Sequence, residues 1–383
     1  HLPTQHQISL RIESVIAEPI VTIMNTSTNT SGHVERLEDF FQYRTAVKVW
    51  RISLPVFMVF GILGNILNIV VLRRRRYRDS PTSQILLLLS ISDILCLLIG
   101  PTRYVLMFIT GKDFTGTSSA YCKAYRFFNY LFTDFSAWLV MLVAIERAVA
   151  VGVPHKVRIY FTRLRIYCVA IFFGCFLAVI NFHFFITYES TQGSNNTELL
   201  SCDVSIQNDH YHFAIIVFPW IDFCVFVLIP VIGVTGCNIF IIAMLLVARY
   251  KRMRMIQGGN QTKMTSMTAV MFAISVFLVA AVTPTAVYQF VYPDLFRLQS
   301  EGNIEAEVQL LVLAIYAVVA AYANCAVNVV LYSVCTRKFR SELISMFKRM
   351  NQVFPTSQDR GTLRAPGSQN IETVNVAHIE TVV

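Results

Sequence analysis

Seven stretches of this chain stay apolar over a length that crosses a bilayer, and that pattern leaves few folds open. They are Trp50–Leu72, Gln84–Phe108, Ala120–Val151, Arg165–Thr187, Tyr211–Ala248, Met264–Tyr292 and Glu305–Val334. A hydrocarbon core of about 30 Å takes roughly 20 helical residues. Inside lipid every backbone amide must be paired within its own segment, so spans of this kind are helices. The composition agrees, with 55% hydrophobic and 14% charged residues, where a soluble domain carries about 25% charged. The expected fold is an all-α membrane protein, a seven-transmembrane helix bundle. The net charge of +9 is concentrated in short loops, so it speaks of topology and offers no case for nucleic acid.

The loops orient the bundle. Arg73, Arg74, Arg75, Arg76 and Arg78 follow the first span; Lys156, Arg158, Arg163 and Arg165 follow the third; Arg249, Lys251, Arg252, Arg254 and Lys263 follow the fifth. The other three connections are acidic, with Asp113, then Glu189, Glu198, Asp203 and Asp209, then Asp294, Glu301, Glu305 and Glu307. Positive charge resists translocation, so the basic set is cytoplasmic and the N-terminus lies outside. The sequons at Asn25, Asn29 and Asn195 fall in segments expected to be extracellular, whereas Asn260 falls inside and is expected to be unused. No signal peptide is visible and the chain starts at His1, which leaves its true start open.

The organisation expected from this is an extracellular glycosylated tail over 1–49, the bundle over 50–335, an amphipathic membrane-surface helix over 336–350 and a disordered tail over 351–383. In the third segment Phe339, Leu343, Ile344 and Phe347 share a face rimmed by Arg337, Lys338, Arg340, Lys348 and Arg349. The last residues, Glu380 to Val383 with Thr381, match the C-terminal ligands that PDZ domains bind by strand addition. Of nine cysteines, six lie within spans as small apolar residues. Cys335 lies at the cytoplasmic end of the last span and is a candidate for acylation. Cys122 and Cys202 alone face the oxidising side, and a disulfide between them is expected to pin the loop after the fourth span over the bundle mouth.

Charged groups in hydrocarbon cost several kcal/mol each, so those inside spans mark function. Asp93 and Asp134 sit within the second and third spans, and Glu146-Arg147 closes the inner end of the third. With them stand Gly64-Asn65, Leu89 four residues before Asp93, Pro230, Pro284, and Asn328-Val329-Val330-Leu331-Tyr332. Cys122 and Arg147 are separated by ~37 Å of helix, enough to run from face to face. This set, over about Arg44 to Arg349, resembles the rhodopsin-like (class A) G-protein-coupled receptors, and within them the invertebrate neuropeptide receptors of the FMRFamide or somatostatin-like kind. Several positions depart from the family pattern. Ala148 replaces an aromatic, Val282 a tryptophan, Asn238 a tyrosine and Val329 a proline, and Met264 stands where an acid latching Arg147 is common.

The resemblance implies a switch made of Glu146, Arg147, Asn328 and Tyr332, in which Arg147 leaves Glu146 to meet a G protein. The plainer alternative is an interfacial snorkelling pair. It also implies a sodium site at Asp93, Ser136, Asn324 and Asn328, against a water-bridged polar network; oxygen ligands around a carboxylate suit a hard cation. No other metal or cofactor is expected. For the ligand, Asn129 occupies the position where amine receptors carry an acid. Tyr322 occupies that of the opsin lysine, and Glu305–Val334 holds no lysine at all. What remains on the outer half is Arg103, Tyr104, Asn129, Tyr130, Thr133, Asp222, Tyr288, Gln289, Tyr292 and Tyr322, a charged aromatic set suited to a peptide with a basic or amidated end. Arg103 is a possible partner of Asp222. The expected partners are a peptide ligand, a heterotrimeric G protein, arrestin and a PDZ scaffold, at the plasma membrane. A small-molecule chemosensory receptor is the alternative within the class. A transporter would call for internal repeats or broken helices, and an enzyme for a nucleophile-base set or metal cluster; neither is visible.

Overall fold

The computed structural model describes residues 37, 39–75, 77–110, 112–192, 200–204, 209–255, 266–328, 330 and 339–346. Among these described residues, seven helices are long and apolar enough to cross a membrane. They are α1 (Phe41–Leu72), α2 (Pro81–Thr110), α3 (Ser119–Gly152), α4 (Arg163–Asn181), α5 (213–255), α6 (Ser266–Ser300) and α7 (Ile304–Ala326). Helix α1 begins outside the apolar run that starts at Trp50, because Tyr43, Ala46 and Val47 are buried there against the bundle. Burial ranks the helices: 61% of the apolar window of α3 is enclosed against 22% for α4. That makes α3 the axis and leaves α4 at the rim, where Ile171 and Val179 stand outward as a lipid-facing side.

Helix α5 is composite. A π-turn at Phe213–Val217 leads to one α-turn, Phe218–Asp222, then a second π-turn, Phe223–Leu228, before the regular stretch Ile229–Met255. Its second π-turn has a local cause. Pro230 has no N–H to donate, so a carbonyl one turn back is freed, and Val225 O accepts instead from Trp138 Nε1 of α3 at 3.0 Å.

Helix ends are capped by short polar side chains, as orphan N–H groups require. Ser118 accepts from Tyr121 N and Thr162 from Arg165 N. Asn303 accepts from Glu305 N and Ala306 N, with both glutamates of that first turn favourably placed at the positive end of the dipole. Gly302 just before it has φ +87°, a conformation that costs glycine nothing.

On the expected outer side, β1 (Tyr188–Gln192) and β2 (Leu200–Val204) pair antiparallel with Ser190 opposite Cys202. Cys122 and Cys202 form a disulfide, which ties this hairpin to the start of α3. Ser190 Oγ donates to Gly116 O and Ser190 N to Ser119 Oγ, so the hairpin is also held to the 3-10 turn Phe114–Thr117.

The chain divides into two units, His1–Phe339 and Arg340–Val383. Of the second unit, 340–346 are described and are helical, which falls within the segment where the amphipathic helix is expected. The sequons at Asn25, Asn29 and Asn195, the PDZ-type end at Thr381 and Val383, and Tyr332 all lie outside the described residues.

Candidate functional site

A column of polar side chains runs through the bundle along α3. At its inner end Arg147 donates to Glu146 twice, Nε to Oε2 at 2.5 Å and Nη2 to Oε1 at 2.6 Å. Glu146 is fully buried, which is tolerable only because each oxygen is met by a charged donor. Thr82, at the start of α2, donates to Glu146 Oε2 at 3.0 Å and accepts from Arg147 Nη2, closing a three-residue latch. Nothing in the sequence marks Thr82 out; a threonine at a span's edge is commonplace.

At mid-depth Asp93 is fully buried and receives Ser136 Oγ at 2.6 Å and Asn328 Nδ2 at 2.6 Å. Three helices therefore converge on one carboxylate. Asn324 is buried one turn away on α7 but is not hydrogen-bonded to Asp93. Asn65 Nδ2 bridges to Cys325 O at 2.9 Å, which fixes α1 to α7 beside the same site. The donor set of carboxylate, hydroxyl and amide oxygens fits a hard monovalent cation. Alternatively, the direct bonds seen here already satisfy the carboxylate.

Farther out, Tyr322 OH donates to Asn129 Oδ1 at 3.2 Å, and Thr133 Oγ1 to Asn129 O at 2.8 Å. The Tyr322 ring lies so close over Gly100 that any Cβ there would collide with it; glycine is required for this approach. Tyr288 is buried with its ring 5.4 Å from that of Tyr292, and Gln289 is half-buried beside them. Tyr104 is fully buried with its ring 5.2 Å from Trp50, which assigns it to packing between α1 and α2. Tyr130 packs on Phe184 and Phe218 at 4.7 and 6.1 Å.

The suggested pairing of Arg103 with Asp222 does not occur. Arg103 instead meets Asp113 in the loop after α2, with Nη2 to Oδ2 at 2.6 Å and Nε to Oδ1 at 3.2 Å, both side chains being 3% and 6% exposed. The physical reason is reach and chemistry: Asp113 presents two oxygens to a planar fork from the same end of α2, while Tyr104 and Tyr125 cover the guanidinium at 5.7 and 5.3 Å. Burial alone would push the Asp113 carboxyl up, but the Arg103 charge and its hydrogen bonds, with those of Thr115, leave it below the ordinary value. Arg126, charged within the third span and not singled out by sequence, donates to Cys202 O at 3.2 Å and sits over the Tyr188 ring at 4.7 Å. Both arginines thus hold the outer lid.

Asp222 instead lies near Asp134, close enough to interact electrostatically. Asp134 Oδ2 accepts from Asn181 Nδ2 at 3.0 Å. Asn181, a lone amide inside the apolar fourth span, was the signal for this cluster.

A family model described as "7 transmembrane receptor (rhodopsin family)" matches residues 64–332, well over half of the chain, and the chain belongs to that family of membrane receptors. Among individual relatives it is similar to the neuromedin-U receptor 2 of Mus musculus, 29% identical over 35% of this chain and 35% of the relative. It also resembles the thyrotropin-releasing hormone receptor of Mus musculus, 26% identical over 46% of this chain and 43% of the relative. The match to the C-X-C chemokine receptor type 5 of Mus musculus is 23% identical and longer, covering 80% of this chain and 78% of the relative. The chain thus spans less than half the length of the first two of these relatives.

Proposed function

We propose that the chain is a plasma-membrane receptor, N-terminus outside, that binds an extracellular peptide of the neuropeptide class and activates a heterotrimeric G protein. The observation that carries this reading is the Glu146–Arg147–Thr82 latch at the inner end of α3. An arginine held by two buried oxygens is a two-state element: an anionic or carbonyl-rich helix entering from the cytoplasm competes for it. The relatives are receptors named for neuromedin-U, thyrotropin-releasing hormone and C-X-C chemokines, and the outer-half residues Asn129, Tyr130, Tyr288, Gln289 and Tyr322 form a polar and aromatic set of the kind a peptide end requires. Arg103, paired with Asp113, and Tyr104, packed on Trp50, support that set without belonging to it. A sodium ion held by Asp93, Ser136, Asn324 and Asn328 would supply the positive charge that Asp93 lacks and favour the resting arrangement. Arrestin binding through the phosphorylatable tail and PDZ capture of the Thr381-Val382-Val383 end are further parts of the proposal.

The test is a calcium and cAMP reporter in cells expressing the full chain, screened with a library of amidated peptides. An agonist-dependent signal that disappears in Arg147→Ala is expected. Activation by a small-molecule panel, with every peptide silent, would overturn the peptide part.

A further inference from the structure

Helices α3 and α5 face each other in rungs four residues apart along α3. At the outer rung the Tyr130 and Phe218 rings are 6.1 Å apart. Two turns deeper Trp138 Nε1 donates to Val225 O at 3.0 Å. The rung between them holds Asp134 and Asp222, close enough to interact electrostatically, and neither is in an ion pair with a basic residue among the described residues.

Asp134 is 2% exposed and receives one hydrogen bond, from Asn181. Asn181 is itself wholly enclosed; its Nδ2 is shared between Asp134 and Leu177 O, and its Oδ1 is buried with no donor. Asp222 accepts no hydrogen bond among the described residues and keeps partial exposure. Two neighbouring donors are spent elsewhere, Thr133 Oγ1 on Asn129 O and Trp138 Nε1 on Val225 O, and the His183 imidazole packs one rung farther out, on Phe218 at 3.8 Å. Among the described residues the two carboxyls and the Asn181 oxygen therefore receive a single hydrogen bond, in a medium where an unmet acceptor or an uncompensated carboxylate is costly. Both deficits are met by one guest that is all donor and positively charged.

We propose that Asp134, Asp222 and Asn181 form a seat for a single guanidinium group of the ligand, an arginine side chain or its equivalent. A planar fork with five N–H donors spans two carboxyls and an amide oxygen from one position, whereas an ammonium brings three donors from a point. The inference rests on the receptor reading above and names the part of the ligand that reaches deepest. Asp134, Asp222 and the Asn181 amide oxygen are then direct contacts, while the Asn181 amide N–H also fixes Asp134 in place.

The probe is L-argininamide, set against L-citrullinamide, which has the same shape and α-amine without the guanidinium charge. Thermal unfolding of the purified full-length receptor in nanodiscs is expected to shift upward, saturably, with millimolar argininamide and not with citrullinamide. The shift should vanish in Asp222→Asn and Asp134→Asn, and persist in Asp222→Glu and in Asp93→Asn. Equal shifts with both amides, or an argininamide shift unaltered in a folded Asp222→Asn, overturn the seat. Stabilisation by sodium chloride over choline chloride that is lost in Asp222→Asn but kept in Asp93→Asn would make it an inorganic-cation site and likewise overturn it. If either neutral variant fails to fold, the wild-type comparison of the two amides and Asp222→Glu still decide. With an arginine-containing peptide agonist, Asp222→Asn should weaken potency roughly thirty- to a thousand-fold. Potency within threefold of wild type overturns the seat and leaves the receptor reading standing. If no peptide stimulates nucleotide exchange, the peptide part of the receptor reading fails, while the argininamide shift still decides the seat.

Discussion

Two levels of the bundle treat their buried acids in opposite ways. Along the inner part of the polar column every oxygen of Glu146 and Asp93 is met, the first by Arg147 and Thr82, the second by Ser136 and Asn328. Farther out, Asp134 and Asp222 receive one hydrogen bond between them among the described residues, from Asn181 to Asp134, although Asp113 beyond them is fully paired with Arg103. On the proposed function, the level that is complete within the chain holds the resting state and the level short of donors receives the ligand. Asp134, Ser136, Glu146 and Arg147 stand on one helix, α3, which on that proposal couples the two.

The largest effect should come from the lid that covers the outer half. The Cys122–Cys202 bond closes a loop of 80 residues, which in the chain-entropy view contributes about 4–5 kcal/mol. Replacing either cysteine by serine should sharply reduce surface expression or ligand binding, measured by surface labelling and saturation binding. Normal values for both would show that the hairpin holds itself, through Ser190 and Arg126 alone.

Next comes the inner latch. Glu146→Gln removes the charge behind two hydrogen bonds, each of the charge-assisted kind that contributes about 1.5–3 kcal/mol. Basal nucleotide exchange should rise by roughly tenfold or more with no ligand present. Basal exchange equal to wild type would mean that Thr82 suffices to hold Arg147, and the snorkelling alternative would stand.

A smaller effect is expected at mid-depth. Asp93→Asn should abolish the dependence of agonist affinity on sodium, because the neutral amide no longer holds the ion. A sodium titration that is unchanged in the variant would leave a polar network in which Ser136 and Asn328 alone satisfy Asp93.

The smallest concerns Asp113. Its carboxyl is held below the ordinary value of 3.8, so the stability it contributes is present above that value and is lost as pH falls below it, through the lowered folded value. Wild-type protein should therefore lose stability on acidification below about pH 4 more steeply than Asp113→Asn, which starts lower and lacks this component. Parallel acid-side curves would place Arg103 outside any functional latch of the lid.

How much of this was legible beforehand follows the physics of each element. Seven helices and the disulfide could be read because lipid imposes length and apolarity on a span, and only two cysteines lie on the oxidising side. Asp93, Glu146 and Arg147 were visible as charges where charge is costly. What could not be read is which partner a side chain takes across helices. Arg103 lay within plausible reach of Asp222, and only the fold of the loop at Asp113 decides between them. Thr82 carries no signal of its own. Asn181 did, as an amide in an apolar run, yet its importance depends on Asp134 lying opposite. The π-turns of α5 were likewise hidden: Pro230 announces a disturbance, but not where the freed carbonyl finds Trp138.

The most direct measurement is nucleotide exchange on a purified heterotrimeric G protein, by receptor reconstituted in nanodiscs, with and without a peptide agonist found by screening. Wild type should accelerate exchange on adding peptide, Glu146→Gln should do so without it, and Arg147→Ala should do neither at equal receptor density. Peptide-stimulated exchange that survives intact in Arg147→Ala would contradict the claim that the α3 latch is the switch.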